Sequence, residues 1–402
     1  GTPCRRVAAA GFGVRPLGHR PCMIRSDPEL LAAVGPRVRK SPFFDATVRA
    51  GLTAVSTYNH MWLPMSYGDP AAEYERLTTG VSMWDVAAQR HVEVTGPDAG
   101  ALVQLVSAVD IGRADPGHAV YAPMVDHDGV LVNDPVLLHW PDGTWRFSIA
   151  DSDVRLWIDA IGHGHGLDAR VRELDTATLA IQGPRSYDVL DAMGLDWVRD
   201  LERSEMRSSS ISVDGESVEV VVSRSGWSNQ GGAELFIDDH TSCEAIWDHV
   251  AAAGTPFDIG PGAPNATERI ENVLLSYGTD TGYHADPIEL GLADHLDLDG
   301  PAFIGRAALR RIRAEGPRRR LVGALLDGDD IDVLAHPVPF VVGGVEIGQL
   351  RAATHSPRFG RNIGLALVDA DMPMGTVGRV AVPDGEREAE LVELPFADSL
   401  GD

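Results

Sequence analysis

Hydrophobic and polar positions along this chain change period several times, and each change marks an element. His91-Val92-Glu93-Val94-Thr95 alternates with a period of two, as a half-buried strand does. Gly96-Pro97-Asp98-Ala99 then opens a helix, with proline in the first turn where its missing N–H does no harm. The same grammar returns further on: Leu179-Ala180-Ile181-Gln182-Gly183-Pro184 is a strand ending in Gly-Pro, followed by a helix. Two strand–Gly-Pro–helix units, at 92–105 and 179–193, hint at related halves. Between them the pattern predicts paired strands at 120–125 and 129–139, turning at Asp126-His127-Asp128-Gly129, a strand at 145–149 and a helix at 153–161. Upstream it predicts a helix at 41–50, a strand at 53–58, a turn at Tyr67-Gly68-Asp69-Pro70 and a helix at 71–79. Downstream, strands at 218–223 and 233–237 flank a glycine-rich loop, and a helix covers 243–253. Residues 320–395 are strand and turn, with a hairpin at Val341-Val342-Gly343-Gly344-Val345, and read as a separate small β domain.

One run resists this grammar. Val130-Leu131-Val132-Asn133-Asp134-Pro135-Val136-Leu137-Leu138 is apolar with a carboxylate in its middle. A strand buried on both faces reads as nearly unbroken Val, Ile and Leu, and an Asp within it is costly without a partner or a task. Pro135 removes a ladder donor, which predicts an edge strand or a bulge beside Asp134. The pattern alone leaves two readings open: a turn Asp between two short strands, or a proton acceptor whose apolar walls perturb its pKa.

Composition narrows the class. At 402 residues the chain exceeds one ordinary core, so two or three domains are expected. No apolar stretch approaches the roughly 20 residues a membrane span needs. A formal charge of −25 excludes nucleic-acid binding by bulk electrostatics and disfavours anionic lipid surfaces. Cys4, Cys22 and Cys243 are widely spaced and form no CxxC, so neither a disulfide framework nor a zinc site is expected, and a reducing cytoplasm is the simplest home. His163 and His165 lie in a glycine-flanked tract without a carboxylate or Cys at ligand spacing, which reads as a solvated loop. The first 26 residues carry Arg and no acid, without an apolar core or initiating Met. They read as part of an N-terminal extension over 1–40, with Met23 as a candidate native start.

Several motifs taken together resemble the folate-dependent family that contains the aminomethyltransferase, or T-protein, of the glycine cleavage system. They are Met83-Trp84-Asp85-Val86, Ile181-Gln182-Gly183-Pro184, Gly226-Trp227-Ser228-Asn229-Gln230-Gly231-Gly232-Ala233-Glu234, Phe303-Ile304-Gly305-Arg306-Ala307-Ala308-Leu309 and His355-Ser356-Pro357. They keep the family's order over residues 42–395. Within it, Tyr58-Asn59-His60-Met61-Trp62-Leu63-Pro64 and Pro264-Asn265-Ala266-Thr267-Glu268-Arg269-Ile270-Glu271 are most similar to the dimethylsulfoniopropionate demethylases. The resemblance implies an α+β fold of three domains arranged as a cloverleaf around a hole that takes tetrahydrofolate. Domain 1 would be assembled from 41–88 and 178–317, domain 2 would be 89–177, and a C-terminal β-barrel would cover 318–402.

The resemblance also assigns roles. Asp134 matches the family's aspartate beside N5 of tetrahydrofolate, where a carboxylate takes a proton or stabilises a cation. The preceding acidic position is Asn133, leaving one charge for a single base. Glu234 matches the pterin-binding glutamate: a carboxylate accepts two parallel N–H bonds, and glycines 231 and 232 let the backbone approach a flat ring. Tyr121 and Trp227 are the further cofactor contacts expected. Tyr58, His60, Trp62 and Trp84 are candidate contacts to the donor, since an onium group needs faces rich in π density. Arg269 and Glu271 read as structural, and Arg358 and Arg361 are candidates for the folate glutamate tail. Asn265 and the segment Trp227-Ser228-Asn229-Gln230 depart from the T-protein, and a chain at −25 is a poor match for an acidic lipoyl carrier. These departures favour transfer of a methyl group from a small-molecule donor to N5 of tetrahydrofolate, with no metal. The alternatives are a true aminomethyltransferase and a folate-binding protein without transferase activity. The sequence leaves a homodimer open.

Overall fold

A computed structural model describes residues 37–400; the extension expected at the N-terminus lies, up to residue 36, outside the described residues. The described chain begins with α1 (Phe44–Arg49) and the hairpin β1 (Ala54–Tyr58) and β2 (Met61–Ser66). Its tip is the pair Asn59-His60, both in the left-handed region at φ 47° and 58°, as a two-residue hairpin turn requires. Next comes α2 (Pro70–Thr79), started by Asp69, whose side chain accepts from the Ala72 N–H. It leads into β3 (Ser82–Asp85).

A five-stranded antiparallel sheet follows. It contains β4 (His91–Thr95), β5 (His118–Tyr121), β8 (Val136–His139), β9 (Trp145–Ser148) and β10 (Arg170–Leu174), in the order β10-β4-β9-β8-β5. Helices α3 (Ala99–Val106) and α4 (Val154–Gly164) pack on it through Leu102, Val103 and Ile158. Pro97 precedes the Asp98 cap position of α3 and is not in its first turn. The expected long hairpin at 120–139 is broken: β6 (Met124–Val125) and β7 (Leu131–Asn133) pair separately as a small two-stranded sheet. Pro123 and Pro135 stand at the breaks, and the Ala122 N–H donates to the Pro135 carbonyl at 2.9 Å. The strand after Pro135 is therefore not an edge: β8 runs between β9 and β5. Proline is tolerated because it sits before the first laddered residue.

The central sheet has six strands in the order β12-β13-β14-β11-β3-β15. The new members are β11 (Ala177–Gln182), β12 (Met206–Val213), β13 (Glu216–Ser223), β14 (Gly232–Ile237) and β15 (Gly260–Gly262). Helices α5 (Ser186–Ala192) and α6 (Cys243–Gly254) cover one face, where Leu179, Ile181, Val222, Ala233 and Leu235 meet Val189, Ile246 and Val250 in the largest core. Each fully buried aliphatic there contributes roughly 1.5–3 kcal/mol. The short α7 (Ala266–Glu271) and α8 (Arg306–Glu315) lead to the last unit. That unit is a closed six-stranded barrel, β16 (Arg319–Leu326), β17 (Val338–Val342), β18 (Val345–Ser356), β19 (Arg361–Asp369), β20 (Val377–Val382) and β21 (Gly385–Val392), with the short helix α9 (Phe396–Leu400) after it. The two strand–Gly-Pro–helix units thus fall in different sheets, β4–α3 in the five-stranded one and β11–α5 in the central one.

Candidate functional site

The break between β7 and β8 exposes one edge of Asp134. The carboxylate is half-buried and accepts a hydrogen bond from the Tyr121 hydroxyl at 3.1 Å. Burial raises its pKa to about 7; the Tyr121 bond opposes the shift, and the negative charge of Asp280 adds to it. Three tyrosines stand around it. Tyr58, Tyr121 and Tyr277 are held protonated by burial, and the Asp134 charge raises each further. Tyr277 donates to the Val132 carbonyl at 2.6 Å, and the Tyr121 ring meets His295 edge-on at 5.1 Å. Asp280 is itself paired at 2.5 Å with the buried Arg269.

Asn133 has a different task from its neighbour. It is fully buried, donates to the Ala150 carbonyl at 3.0 Å and the Ser152 hydroxyl at 2.7 Å, and accepts from the Ala150 N–H at 3.1 Å. The same turn is gripped from the other side by Asn59. That amide donates to the Ala88 and Ile149 carbonyls and accepts from the Ser152 N–H, while the Asn59 N–H donates to Asp151 at 2.7 Å. Two buried amides thus clamp residues 150–152 and fix the strand end that presents Asp134. A carboxylate at 133 could not donate these bonds.

Glu234 lies on the central sheet. The register Trp84↔Ala180↔Glu234↔Ser223 puts these four in one row across β3, β11, β14 and β13. Their strand neighbours Met83, Ile181, Ala233 and Val222 belong to the core beneath the helices, so the row faces the other way. On that face Ser82 Oγ, Trp84 Nε1 and Thr178 Oγ1 are buried without a hydrogen-bond partner. Glu234 accepts from the Ser225 hydroxyl at 2.5 Å, and burial raises its pKa. Orphaned buried polar atoms are rare in folded proteins and call for an explanation. A carboxylate acceptor, an indole donor and two hydroxyls on one face fit a flat heterocycle with amide-like edges, as the pterin of tetrahydrofolate is. Phe236, two residues beyond Glu234 on the same face, packs with Leu138 and Trp140. This contact brings the strand that follows Asp134 against the face that carries Glu234.

The expected residues therefore divide into groups. Asp134, Tyr121 and Tyr58 come together, and Trp84 shares a sheet face with Glu234. Trp227 is half-buried in the loop between β13 and β14, beside Ser228, which bonds to Gln182. His60 is at the exposed hairpin tip, 3.2 Å from Asp153, and Trp62 is half-buried on β2 across from Thr57. Gly232 makes room for a protein neighbour: an added Cβ would stand 2.1 Å from the Ile181 carbonyl and 2.8 Å from the Gln182 amide. Arg269 is held by Asp280, and Glu271 accepts from the Tyr74 and Ser356 hydroxyls. Arg358 lies over the Phe359 ring and bonds to Asn272 at 3.4 Å. The sequence reading missed Tyr277, Asn59 and Asp151. The signal for Asn59 was present, as Asn-His between two β-prone runs. Among the described residues no group of His, Cys, Asp and Glu is arranged to hold a metal, and no helix is long and apolar enough to cross a membrane.

Comparison with known proteins places most of the chain in one family. Residues 43–300 match the family described as the GCVT N-terminal domain, and residues 319–398 the glycine cleavage T-protein C-terminal barrel domain. The chain is 36% identical over 358 residues to the dimethylsulfoniopropionate demethylase DmdA of Ruegeria pomeroyi, covering 89% of this chain and 97% of that protein. It is 31% identical over 373 residues to an aminomethyltransferase of Moorella thermoacetica, covering 89% and 98%. In three dimensions it is similar to the glycine cleavage system aminomethyltransferase T of Bartonella henselae, with a TM-score of 0.79 at 18% identity over 89% of this chain and 98% of that one.

Proposed function

Because the chain belongs to the glycine cleavage T-protein family of tetrahydrofolate-dependent enzymes, we propose from that premise that it moves a methyl group from a small onium donor, dimethylsulfoniopropionate or a close analogue, to N5 of tetrahydrofolate. The observation that carries this reading is the carboxylate of Asp134, bonded to the Tyr121 hydroxyl, raised by burial to a pKa of about 7, and preceded by the amide of Asn133 in place of a second acid. Tetrahydrofolate supplies the nucleophilic nitrogen and carries the methyl group away. Asp134 takes the proton released there as positive charge leaves the donor, and a pKa near neutrality matches that task. Tyr121 keeps the carboxylate oriented. The faces of Tyr58, Tyr121 and Tyr277 offer π density to a sulfonium or quaternary ammonium. Glu234 and the unpartnered Trp84 and Ser82 hold the pterin edge, and holding the two reactants close supplies much of the acceleration. The reading assigns the enzyme to the cytoplasm.

The test is incubation of purified protein with tetrahydrofolate and dimethylsulfoniopropionate, following 5-methyl-tetrahydrofolate. No product with that donor, with betaines or with aryl methyl ethers sinks the reading. Product formed only with a lipoylated carrier protein reassigns the chain to aminomethyl transfer.

A further inference from the structure

Glu268 is a carboxylate without a part in the chemistry above. It is 1% exposed, on the first turn of α7, where Asn265 caps the helix through the Thr267 and Glu268 N–H groups. One oxygen, Oε1, accepts three bonds: from the Asn229 N–H at 2.9 Å, from Gln230 Nε2 at 3.1 Å and from Asn272 Nδ2 at 2.9 Å. The other, Oε2, is buried without a partner. Two of the three donors belong to the loop joining β13 to β14, the loop that also carries Ser225 and Trp227.

That loop is fixed at its other end by Gln182. Ser228 Oγ donates to Gln182 Oε1 at 2.6 Å, and Gln182 Nε2 donates to the Ser225 carbonyl at 3.1 Å. Gly226 leaves the room this amide occupies, since an added Cβ there would stand 2.1 Å from Gln182 Oε1. Ser225 then donates from its hydroxyl to Glu234 at 2.5 Å. An unbroken path of protein contacts therefore runs from Glu268 through Gln230, Ser228, Gln182 and Ser225 to Glu234. Gln182 and Glu234 project from the same face of the sheet.

We propose that Glu268 is a positioning residue: it anchors the 225–230 loop over the polar face of the central sheet and so sets the orientation of Glu234 toward the pterin. The proposal rests on the assignment of Glu234 to the pterin. Glu268 itself touches no reacting atom. Its removal frees the loop, so folate affinity falls while the rate of the bound complex is retained. A carboxylate that merely supports the fold would lower Tm and leave folate affinity alone.

The experiment titrates tetrahydrofolate into wild type, Glu268→Ala and Glu268→Gln, read by intrinsic tryptophan fluorescence. It is paired with steady-state kinetics on dimethylsulfoniopropionate and with Tm. Glu268→Ala is expected to raise Kd and KM for tetrahydrofolate by about tenfold with kcat within about twofold, the scale of losing hydrogen bonds to one charged anchor. Glu268→Gln keeps an oxygen for the same donors and is expected to restore affinity to within about threefold. Unchanged folate affinity in a folded Glu268→Ala overturns the proposal, as does equal loss in the Gln variant. If Glu268→Ala does not fold, Gln230→Ala cuts the loop end of the same link and decides instead: weaker folate binding supports the proposal and unchanged binding overturns it. Wild type that binds no tetrahydrofolate overturns the functional reading and this one with it, whereas tight wild-type binding with no effect of either variant overturns this one alone.

Discussion

A carboxylate that takes a proton at neutral pH needs a pKa far above the ordinary carboxylate value, and at Asp134 burial supplies that shift. Two pH dependences of known sign follow. In the proposed reaction the base form is the working form, so kcat is expected to rise with pH through about 7 and level off above it. In stability the native state binds this proton more tightly than the unfolded chain, whose pKa is about 4. The favourable contribution is therefore complete below about 4 and is lost as pH rises toward 7. Asp134→Asn is expected to lower kcat by roughly 10²–10⁴ while folate affinity stays within a few-fold. It is also expected to raise Tm at pH 8 but not at pH 4, by calorimetry. Asn133→Asp tests the neighbouring residue. It removes two donated bonds and adds a like charge, so a loss of about 1–3 kcal/mol in urea unfolding is expected. The rise of kcat with pH is expected to move to higher pH. The sequence showed Asp134 as an anomaly and Asn133 as a missing charge. It could not show that the Asn133 amide holds a turn some seventeen positions away, because that turn comes near only when β7 and β9 are in place.

At the scale of elements, the patterns that were legible are those with a local cause. The strand at His91–Thr95, the helix after the turn at 67–70 and the Gly-Gly hairpin between β17 and β18 all formed where turn chemistry and alternation put them, but β4 is buried on both faces, His91 and Glu93 included, where its alternation predicts a half-buried strand. The two strands predicted at 120–139 do pair across the 126–129 turn, β5 with β8 and β6 with β7, but Pro123 and Pro135 split the ladder in two, and only the break at Pro135 is signalled by the sequence pattern. β12, rich in serine at Met206-Arg207-Ser208-Ser209-Ser210, has weak alternation and takes its structure from pairing with β13. The loop between β13 and β14 depends on a contact that only a hydrogen side chain permits. Gly226→Ala would place a Cβ 2.1 Å from the Gln182 amide. It is expected to cost about 1–3 kcal/mol through overpacking and to weaken folate binding, checked by urea unfolding and the same fluorescence titration.

Over the whole molecule, charge is the dominant long-range term. A chain at −25 repels itself when compact, and added salt screens that repulsion. Tm is therefore expected to rise between low salt and about 0.5 M NaCl, and a Tm that falls or stays level over that range would show that exposed ion pairs, such as Arg49–Glu244, outweigh the repulsion. The proposed reacting centre also has a wide sequence span. Tyr58, Tyr121, Asp134 and Tyr277 come from four separate stretches, and Glu234, proposed to hold the pterin, from a fifth. On the ribosome, the N-terminal portion emerges long before residue 277. At about 5–20 residues per second, roughly ten to forty seconds of synthesis separate Tyr58 from Tyr277. A product ending before residue 277 lacks Tyr277 and the whole C-terminal barrel, and is expected to form no 5-methyl-tetrahydrofolate in the same assay.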